Sequence, residues 1–382
     1  MAKLITTRPK EKAFLAGAFL GRTGKNGDWS ESMAELEALA VSAGAIVVGH
    51  LTQRRTAPDP AYFIGRGKAE EIKTKSEEAA ANVIIFDDEL TGAQVANLQE
   101  LTGVRTIDRT NLILDIFAQR AKTKEAKVQV ELAQLEYLLP RLAGRWSHLE
   151  RQVGGIGARG PGETQLETDR RQVRHKIVHL KKLLEEIDRQ RAIQHKKRSA
   201  VYRVSLVGYT NAGKSSLFNL LTRSQTKVED RLFSTLDSTT RILKFPYFPR
   251  VILTDTVGFI KKLPTYLVAS FRSTLSEAAE SDLLLHVVDF SRTDFRENII
   301  EVEKILTSLG ADKIPTILVL NKTDRLEMET AFENKNGFWE VAPVSALKGT
   351  GLVDLTNKIE AFLRWSSQSQ NGLAPRPGDF PA

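Results

Sequence analysis

Residues 208–215 read GYTNAGKS, and their types and spacing suit the binding of nucleotide phosphates. The segment fits the pattern G-x-x-x-x-G-K-S and stands between a β-branched run and an amphipathic run, the strand–loop–helix context that the pattern requires. Gly208 and Gly213 let backbone amides curl around phosphates. Lys214 brings a positive charge to the outer phosphates, and Ser215 offers a hydroxyl ligand to Mg²⁺. The segment therefore predicts a phosphate-binding loop.

Two later segments are expected to respond to the last phosphate. The run VILTDTVGF ends a hydrophobic strand in Asp255 and Gly258, a D-x-x-G spacing that sets a carboxylate near Mg²⁺ and an amide near the last phosphate. Between it and the phosphate loop lies RLFSTLDSTTR, where Thr235 is our choice for a hydroxyl that completes the magnesium shell, with Thr239 and Thr240 as alternatives. Both segments are expected to order around GTP and to relax after hydrolysis.

Guanine is the base that the remaining motifs favour. The run TILVLNKTD ends a strand in Asn-Lys-x-Asp, where Asp324 can accept hydrogen bonds from N1 and N2 of guanine, an edge that adenine lacks. The run VAPVSALKG closes a shorter strand at Ser345, Ala346 and Leu347, where a loop amide would meet guanine O6. The phosphate loop, the D-x-x-G motif, the Asn-Lys-x-Asp motif and the Ser-Ala-Leu segment all follow the carboxyl ends of predicted strands. This is the edge at which α/β sheets bind ligands. Together they predict a P-loop, Ras-like domain that binds GTP.

Phe259 follows Gly258, at the position where many small GTPases carry a glutamine that orients the attacking water. A phenyl ring cannot hold a water molecule in this way. We therefore expect hydrolysis to be slow until a partner supplies or positions the missing group.

The elements before this domain form two further regions. Strand-like and helix-like runs alternate up to about residue 109, which predicts a small parallel α/β domain. The strand-like runs are 13–20, 44–51, 83–87 and 104–107, and the helix-like runs are 30–42, 67–81 and 91–101.

A long helical hairpin is expected next. From Asn111 to Leu142 apolar residues recur at helical spacing, which predicts one long helix bent at Pro140. A second apolar seam from Leu166 to Ile187 predicts a helix that pairs with the first as an antiparallel hairpin. The predicted domains are 1–110 (α/β), 111–198 (hairpin), 199–366 (P-loop GTPase) and 367–382 (a disordered tail).

The loop that joins the two arms reads GGIGARGPG over residues 154–162, far longer than the about 2 to 8 residues that usually connect two helices. It would lie at the tip of a projecting rod. From Arg141 to Arg198 the chain carries fifteen Lys or Arg against seven Asp or Glu, which accounts for the whole net charge of +8. This local surplus favours a polyanion partner, in particular nucleic acid.

Composition limits the remaining classes. The chain has no cysteine, which excludes disulfides and thiolate chemistry and suits a reducing, cytoplasmic compartment. The run KEKAFLAGAFLG resembles a signal peptide less than a first strand, because helix-like and strand-like runs follow it directly. No stretch approaches the about 20 apolar residues of a membrane span.

The segments LDIFAQRAKTKEAKVQVELAQLEYLLPRL, GGIGARGPGETQLETDRR, GYTNAGKS, FSTLD, DTVGF and NKTD together resemble the HflX family of ribosome-associated GTPases over about residues 10–365. The glycine-rich string is the most specific of them. One motif departs from the family pattern FATLDPTT, because Ser234 and Ser238 replace alanine and proline. The nucleotide-responsive loop is therefore expected to be looser when GDP is bound.

The resemblance implies roles for individual residues. Lys214, Thr235 and Gly258 would be catalytic, and Ser215 and Thr235 would ligate Mg²⁺. The implied contacts to GTP or GDP are Gly208, Tyr209, Thr210, Asn211, Ala212, Gly213, Lys214, Ser215, Phe233, Ser234, Thr235, Leu236, Asp237, Asp255, Thr256, Val257, Gly258, Asn321, Lys322, Thr323, Asp324, Ser345, Ala346 and Leu347. The expected RNA contacts of the tip are Gly154, Gly155, Gly157, Arg159, Gly160, Arg170 and Arg171.

The resemblance also implies a function: binding to the large ribosomal subunit and, with GTP, splitting of stalled or stress-arrested ribosomes, with the hairpin reaching toward the peptidyl transferase centre. The expected partner is the large subunit and its RNA rather than DNA. We expect a cytoplasmic monomer, and peripheral membrane association stays open.

Three alternatives remain at this stage. A GTPase of ribosomal subunit assembly would share the same domains but prefer a precursor subunit. A regulator that grips a protein partner through the hairpin would leave the arginine–glycine tip unexplained. The N-terminal domain could also be a second nucleotidase that uses GRGK (65–68) for ATP, although this stretch lacks a complete phosphate loop.

Overall fold

The structure is a computed structural model. It describes residues 10–20, 28–145, 161–196, 201–224, 231–233, 235–248, 251–262, 267, 277–326 and 338–370. The chain divides between Ile187 and Asp188 into two compact units. The predicted fold class, an α/β chain with a helical hairpin and a P-loop GTPase domain, is confirmed.

The first unit begins with a parallel four-stranded sheet in the strand order β2-β1-β3-β4. The two central strands are buried along almost their whole length, and apart from Lys12 at the start of the first strand both are apolar. This pattern is typical of a parallel sheet with both faces covered by helices. The predicted alternation of strands and helices is confirmed. Its elements are β1 (Lys12–Leu20), α1 (Asp28–Ser42), β2 (Ile46–Arg55), α2 (Arg66–Glu78), β3 (Val83–Phe86), α3 (Gly92–Thr102), β4 (Arg105–Asp108), α4 (Arg109–Arg120), α5 (Lys124–Arg145) and α6 (Pro161–Lys196), which continues past the division.

The prediction of one long helix from Asn111 is wrong, because two helices, α4 and α5, occupy this stretch. Ala121 has an extended backbone (φ −62°, ψ 113°) that ends α4. The hydroxyl of Thr123 then accepts a hydrogen bond from the backbone amide of Ala126 at 3.1 Å, which caps the start of α5. Pro140 lies inside α5, which continues to Arg145.

The hairpin forms by packing of α5 on α6. Its shared apolar cluster contains Val128 and Leu132 from α5 and Ile177 and Leu180 from α6. Ion pairs from Lys176 to Glu131 and from Lys181 to Glu136 flank this cluster. The two helices therefore pack through a narrow apolar seam with charged edges.

Asp108 holds α5 against the sheet. The Tyr137 hydroxyl donates to the Asp108 carboxylate at 2.9 Å, and the Arg141 guanidinium lies 3.2 Å from it. Arg141 also donates to the carbonyl oxygen of Leu90 at 2.8 Å. The hairpin is therefore anchored to the end of β4 by a buried, charge-assisted network.

The second unit is built on a six-stranded sheet in the order β10-β9-β8-β5-β7-β6, in which only β6 is antiparallel to its neighbour. Its elements are β5 (Tyr202–Gly208), α7 (Lys214–Thr222), β6 (Thr239–Leu243), β7 (Val251–Asp255), β8 (Leu283–Asp289), α8 (Phe295–Ser308), β9 (Thr316–Asn321), a 3-10 turn (Thr323–Arg325), β10 (Glu340–Pro343) and α9 (Leu352–Gln370). Helix α9 thus extends into the predicted tail 367–382, whose later residues lie outside the described ones.

Candidate nucleotide-binding site

A cavity of about 310 Å³ opens in the second unit, among residues that follow the carboxyl ends of β5, β7, β9 and β10. Parallel α/β sheets bind ligands at this edge. The described residues that line it are Thr210, Asn211, Gly213, Lys214, Ser215, Ser216, Phe233, Thr235, Thr256, Gly258, Asn321, Lys322, Asp324, Arg325, Ala346 and Leu347.

Two glycines of the phosphate loop have no room for a side chain. Gly208 has a φ of +147°, and a Cβ added to it would lie 2.1 Å from the carbonyl oxygen of Val287 on the neighbouring strand. Gly213 has a φ of +95°, and an added Cβ would lie 2.2 Å from the amide nitrogen of Asn321. Both positions therefore require glycine for conformation and for close backbone packing.

Lys214 brings the positive charge of the loop. Its Nζ donates to the carbonyl oxygens of Gly208 at 3.0 Å and Tyr209 at 2.9 Å. Burial lowers the pKa of Lys214 to about 8, although the nearby carboxylate of Asp255 acts in the opposite direction. Burial likewise raises the pKa of Asp255, against the attraction of Lys214. A phosphate beside this ammonium would favour its charged form, so the site is suited to an anion.

The side-chain oxygens of Ser215, Thr235 and Asp255 lie close together at the end of the phosphate loop. Asp255 Oδ2 accepts hydrogen bonds from Ser215 Oγ at 2.6 Å and Thr235 Oγ1 at 3.4 Å, and the two hydroxyl oxygens lie 2.9 Å apart. The other carboxylate oxygen of Asp255 is buried and has no hydrogen-bond partner among the described residues. Oxygen donors of this kind fit Mg²⁺, which Ser215 and Thr235 would hold with Asp255 beside them. A bound Mg²⁺ would neutralise phosphate charge.

The two alternative threonines lie on β6. Thr239 is in register with Asp255 across the antiparallel pair β6–β7. The Thr240 hydroxyl lies 3.2 Å from the hydroxyl of Thr254 on β7. The geometry therefore favours Thr235 as the threonine beside Ser215.

Asn321 joins the phosphate loop to the loop expected at the base. Its Nδ2 donates to the carbonyl oxygen of Ala212 at 2.8 Å, and its Oδ1 accepts from the amide of Ala346 at 2.9 Å. The Ser345 hydroxyl donates to the carboxylate of Asp324 and holds the pKa of that carboxyl below its usual range. An ionised Asp324 is the acceptor that guanine N1 and N2 would need.

Gly258 and Phe259 pack directly on the phosphate loop. The amide of Phe259 donates to the carbonyl oxygen of Gly208 at 3.1 Å, and the amide of Thr210 donates to the carbonyl oxygen of Phe259 at 2.7 Å. The Phe259 side chain is only 2% exposed. It is therefore part of the core, while Gly258 lines the cavity.

Most of the predicted nucleotide residues line this cavity, and the structure adds two that the sequence analysis missed, Ser216 and Arg325. Each directly follows a predicted motif, and this position is the sequence feature that could have indicated them. Ser234 lies outside the described residues. Predicted residues that do not line the cavity are Gly208, Tyr209, Ala212, Leu236, Asp237, Asp255, Val257, Thr323 and Ser345.

Only two of the predicted RNA contacts can be placed. Arg170 is half-buried and Arg171 is exposed, both on α6 of the hairpin. The others, Gly154, Gly155, Gly157, Arg159 and Gly160, lie outside the described residues.

Comparisons with known proteins cover nearly the whole chain. Three family models match: "GTP-binding GTPase N-terminal" over residues 30–118, "GTP-binding GTPase Middle Region" over 120–198 and "50S ribosome-binding GTPase" over 203–322. The GTPase HflX of Caldanaerobacter subterraneus subsp. tengcongensis is 48% identical over 96% of this chain and 84% of its own. The GTPase HflX of Escherichia coli K12 is 49% identical over 91% of this chain and 83% of its own.

A solved structure shares the fold. A GTP-binding protein from the archaeon Sulfolobus solfataricus, in complex with GDP, matches with a TM-score of 0.50 and 27% identity, over 92% of this chain and 98% of its own. Across the described ranges of this chain, no helix combines the length and the apolar character needed to cross a membrane.

Proposed function

The chain belongs to the HflX family of GTPases, and on that basis we propose that it binds the large ribosomal subunit and, with GTP bound, splits stalled or stress-arrested ribosomes. The observation that carries this proposal is the combination in one chain of a cavity lined by the predicted nucleotide motifs and a hairpin helix with a basic exposed face. The match of residues 203–322 to a model described as a 50S ribosome-binding GTPase supports the choice of subunit.

The exposed face of α6 is suited to RNA. Arg171, Arg174 and Lys182 follow one another at intervals of three and eight residues, which places them on one stripe of a helix, and all three are exposed. This stripe lies opposite the apolar cluster that contains Ile177 and Leu180. Arginine and lysine in such a row can contact successive phosphates, so binding should weaken as salt rises. The tip, residues 154–160, would then add the closest approach to folded RNA.

Hydrolysis is proposed to be slow until the ribosome binds. The buried ring of Phe259 offers no polar group to an attacking water. Lys214 would stabilise charge on the transferred phosphoryl group, and the amide of Gly258 would face the last phosphate. Thr235 would order its loop around GTP together with Mg²⁺. An activating partner is worth about a thousandfold or more in this chemistry, and the ribosome would fill that role.

We further propose that the chain acts as a cytoplasmic monomer on ribosomal RNA rather than DNA. The absence of cysteine is compatible with a reducing compartment.

Sedimentation with purified large subunits tests the binding step. With a non-hydrolysable GTP analogue the chain should move with the subunit, and with GDP most of it should stay at the top of the gradient. Arg171→Glu with Arg174→Glu should lower the bound fraction, whereas Glu185→Lys on the same helix should not. Equal binding in both nucleotides would contradict a GTP-dependent association.

A further inference from the structure

Residues 257–261, which include the D-x-x-G glycine, are attached to the phosphate loop by backbone hydrogen bonds. Tyr209 and Phe259 form a parallel bridge through the two bonds that involve Gly208, Thr210 and Phe259. A Cβ added to Gly258 would lie 2.9 Å from Lys214 Nζ. The glycine that would face the last phosphate therefore lies in contact with the loop that would hold it.

A side chain extends this attachment. The Tyr209 hydroxyl accepts a hydrogen bond from the backbone amide of Lys261 at 2.6 Å. Tyr209 is the second residue of the phosphate loop, yet it does not line the nucleotide cavity. Its hydroxyl thus reaches away from the nucleotide and contacts the chain three residues beyond Gly258.

The side chain of Lys261 also makes ion pairs. The Lys261 ammonium lies 3.6 Å from the carboxylate of Asp294 and 3.5 Å from the carboxylate of Glu297. Asp294 directly precedes α8, and Glu297 lies in its first turn. Arg292 donates to both oxygens of Asp294, at 2.7 and 2.8 Å. Lys261 is therefore held at its backbone by Tyr209 and at its side chain by two carboxylates, of which that of Asp294 is itself hydrogen-bonded to Arg292.

We propose that Tyr209 is a positioning residue for GTP hydrolysis: its hydroxyl fixes the segment after Gly258 so that the Gly258 amide stays aligned with the last phosphate. The proposal rests on the GTPase activity and not on ribosome splitting. In the same structure Thr235 contacts Ser215 and Asp255, the arrangement proposed above for the GTP-bound site. Because the hydroxyl does not reach the cavity, it acts on the rate and not on nucleotide affinity.

Tyr209→Phe removes one oxygen and keeps the ring. Single-turnover hydrolysis with excess purified protein and no ribosomes should slow by about three- to tenfold, the range expected for one hydrogen bond. The dissociation constants for GTP and GDP should not change. Tyr202→Phe is the matched control, because Tyr202 lies at the opposite end of β5, and its rate should equal that of the unmodified protein. Urea unfolding of each variant reports the folded fraction.

Hydrogen exchange tests the bond itself, even if hydrolysis is too slow to follow. With a non-hydrolysable GTP analogue, the Lys261 amide should be protected in the unmodified protein and should exchange faster in Tyr209→Phe. The proposal is overturned by an unprotected Lys261 amide, by an unchanged or higher rate in Tyr209→Phe, or by a parallel loss of GTP affinity. Absence of hydrolysis in the unmodified protein would instead contradict the GTPase activity.

Discussion

Replacing Asn321 by alanine should separate the two loops that the nucleotide needs together. The Asn321 side chain is 1% exposed and supplies both a donor to the phosphate loop and an acceptor to the loop of Ala346. Asn321→Ala leaves the carbonyl oxygen of Ala212 and the amide of Ala346 without these partners. It also removes the group against which Gly213 packs.

The expected cost follows from these two groups. A buried polar group left without its partner lowers the free energy of unfolding by about 1 to 3 kcal/mol. The carbonyl oxygen of Ala212 and the amide of Ala346 together should therefore lower it by about 2 to 6 kcal/mol. A whole domain is stable by only about 5 to 15 kcal/mol. The second unit should therefore unfold at clearly lower urea concentration. GDP affinity should fall by at least about tenfold, because Ala212 and Ala346 belong to different nucleotide loops that would no longer be held in register.

Urea unfolding with and without GDP measures both effects. Asn298→Ala is the matched control, since Asn298 is also a buried asparagine of this unit but its Oδ1 has no hydrogen-bond partner among the described residues. That variant should lose much less stability and keep its GDP affinity. If Asn321→Ala and Asn298→Ala behaved alike in both measurements, the bridging role of Asn321 would be refuted.

Three further predictions concern the base, the core and the magnesium site. Asp324→Asn should weaken GTP binding by at least about tenfold and improve binding of xanthosine triphosphate, because an amide presents a donor to guanine N1; unchanged GTP affinity in a filter-binding assay would contradict it. Burial lowers the pKa of His286 to about 3, so between about pH 6.5 and 3 the unfolded state binds more protons and stability falls with acidification, by up to about 1.4 kcal/mol per pH unit. His286→Leu should remove this component, which urea titrations at several pH values would show; equal slopes would exclude it. Thr235→Val should raise the Mg²⁺ concentration needed for tight GTP binding, whereas Thr240→Val should leave it unchanged, and the reverse order would move the ligand to Thr240.

The local parts of this structure could be predicted from the sequence, and the parts that join distant segments could not. The glycines and Lys214 of the phosphate loop lie within eight consecutive residues, so their spacing alone indicates their chemistry. The sequence does not reveal the break between α4 and α5, because apolar residues continue at helical spacing across Ala121. The one local signal is Thr123, whose hydroxyl caps the start of α5.

The contacts of Asn321 and Tyr209 are examples of the long-range contacts that the sequence does not reveal. Asn321 is recognisable as part of a guanine motif, but its bonds to Ala212 and Ala346 join residues 109 and 25 positions away. The hydroxyl of Tyr209 meets an amide 52 residues later. Such pairs are set by strand order in the sheet, which no local pattern encodes.

The most direct test of the account is a sucrose gradient of intact ribosomes incubated with the chain and a non-hydrolysable GTP analogue. We expect separated subunits, with the chain in the large-subunit fraction, and intact ribosomes when GDP replaces the analogue. A variant in which serines replace residues 154–160 should bind GTP normally and release few subunits. Intact ribosomes in all nucleotide states, or equal splitting by the serine variant, would contradict a GTP-dependent splitting function that acts through the hairpin tip.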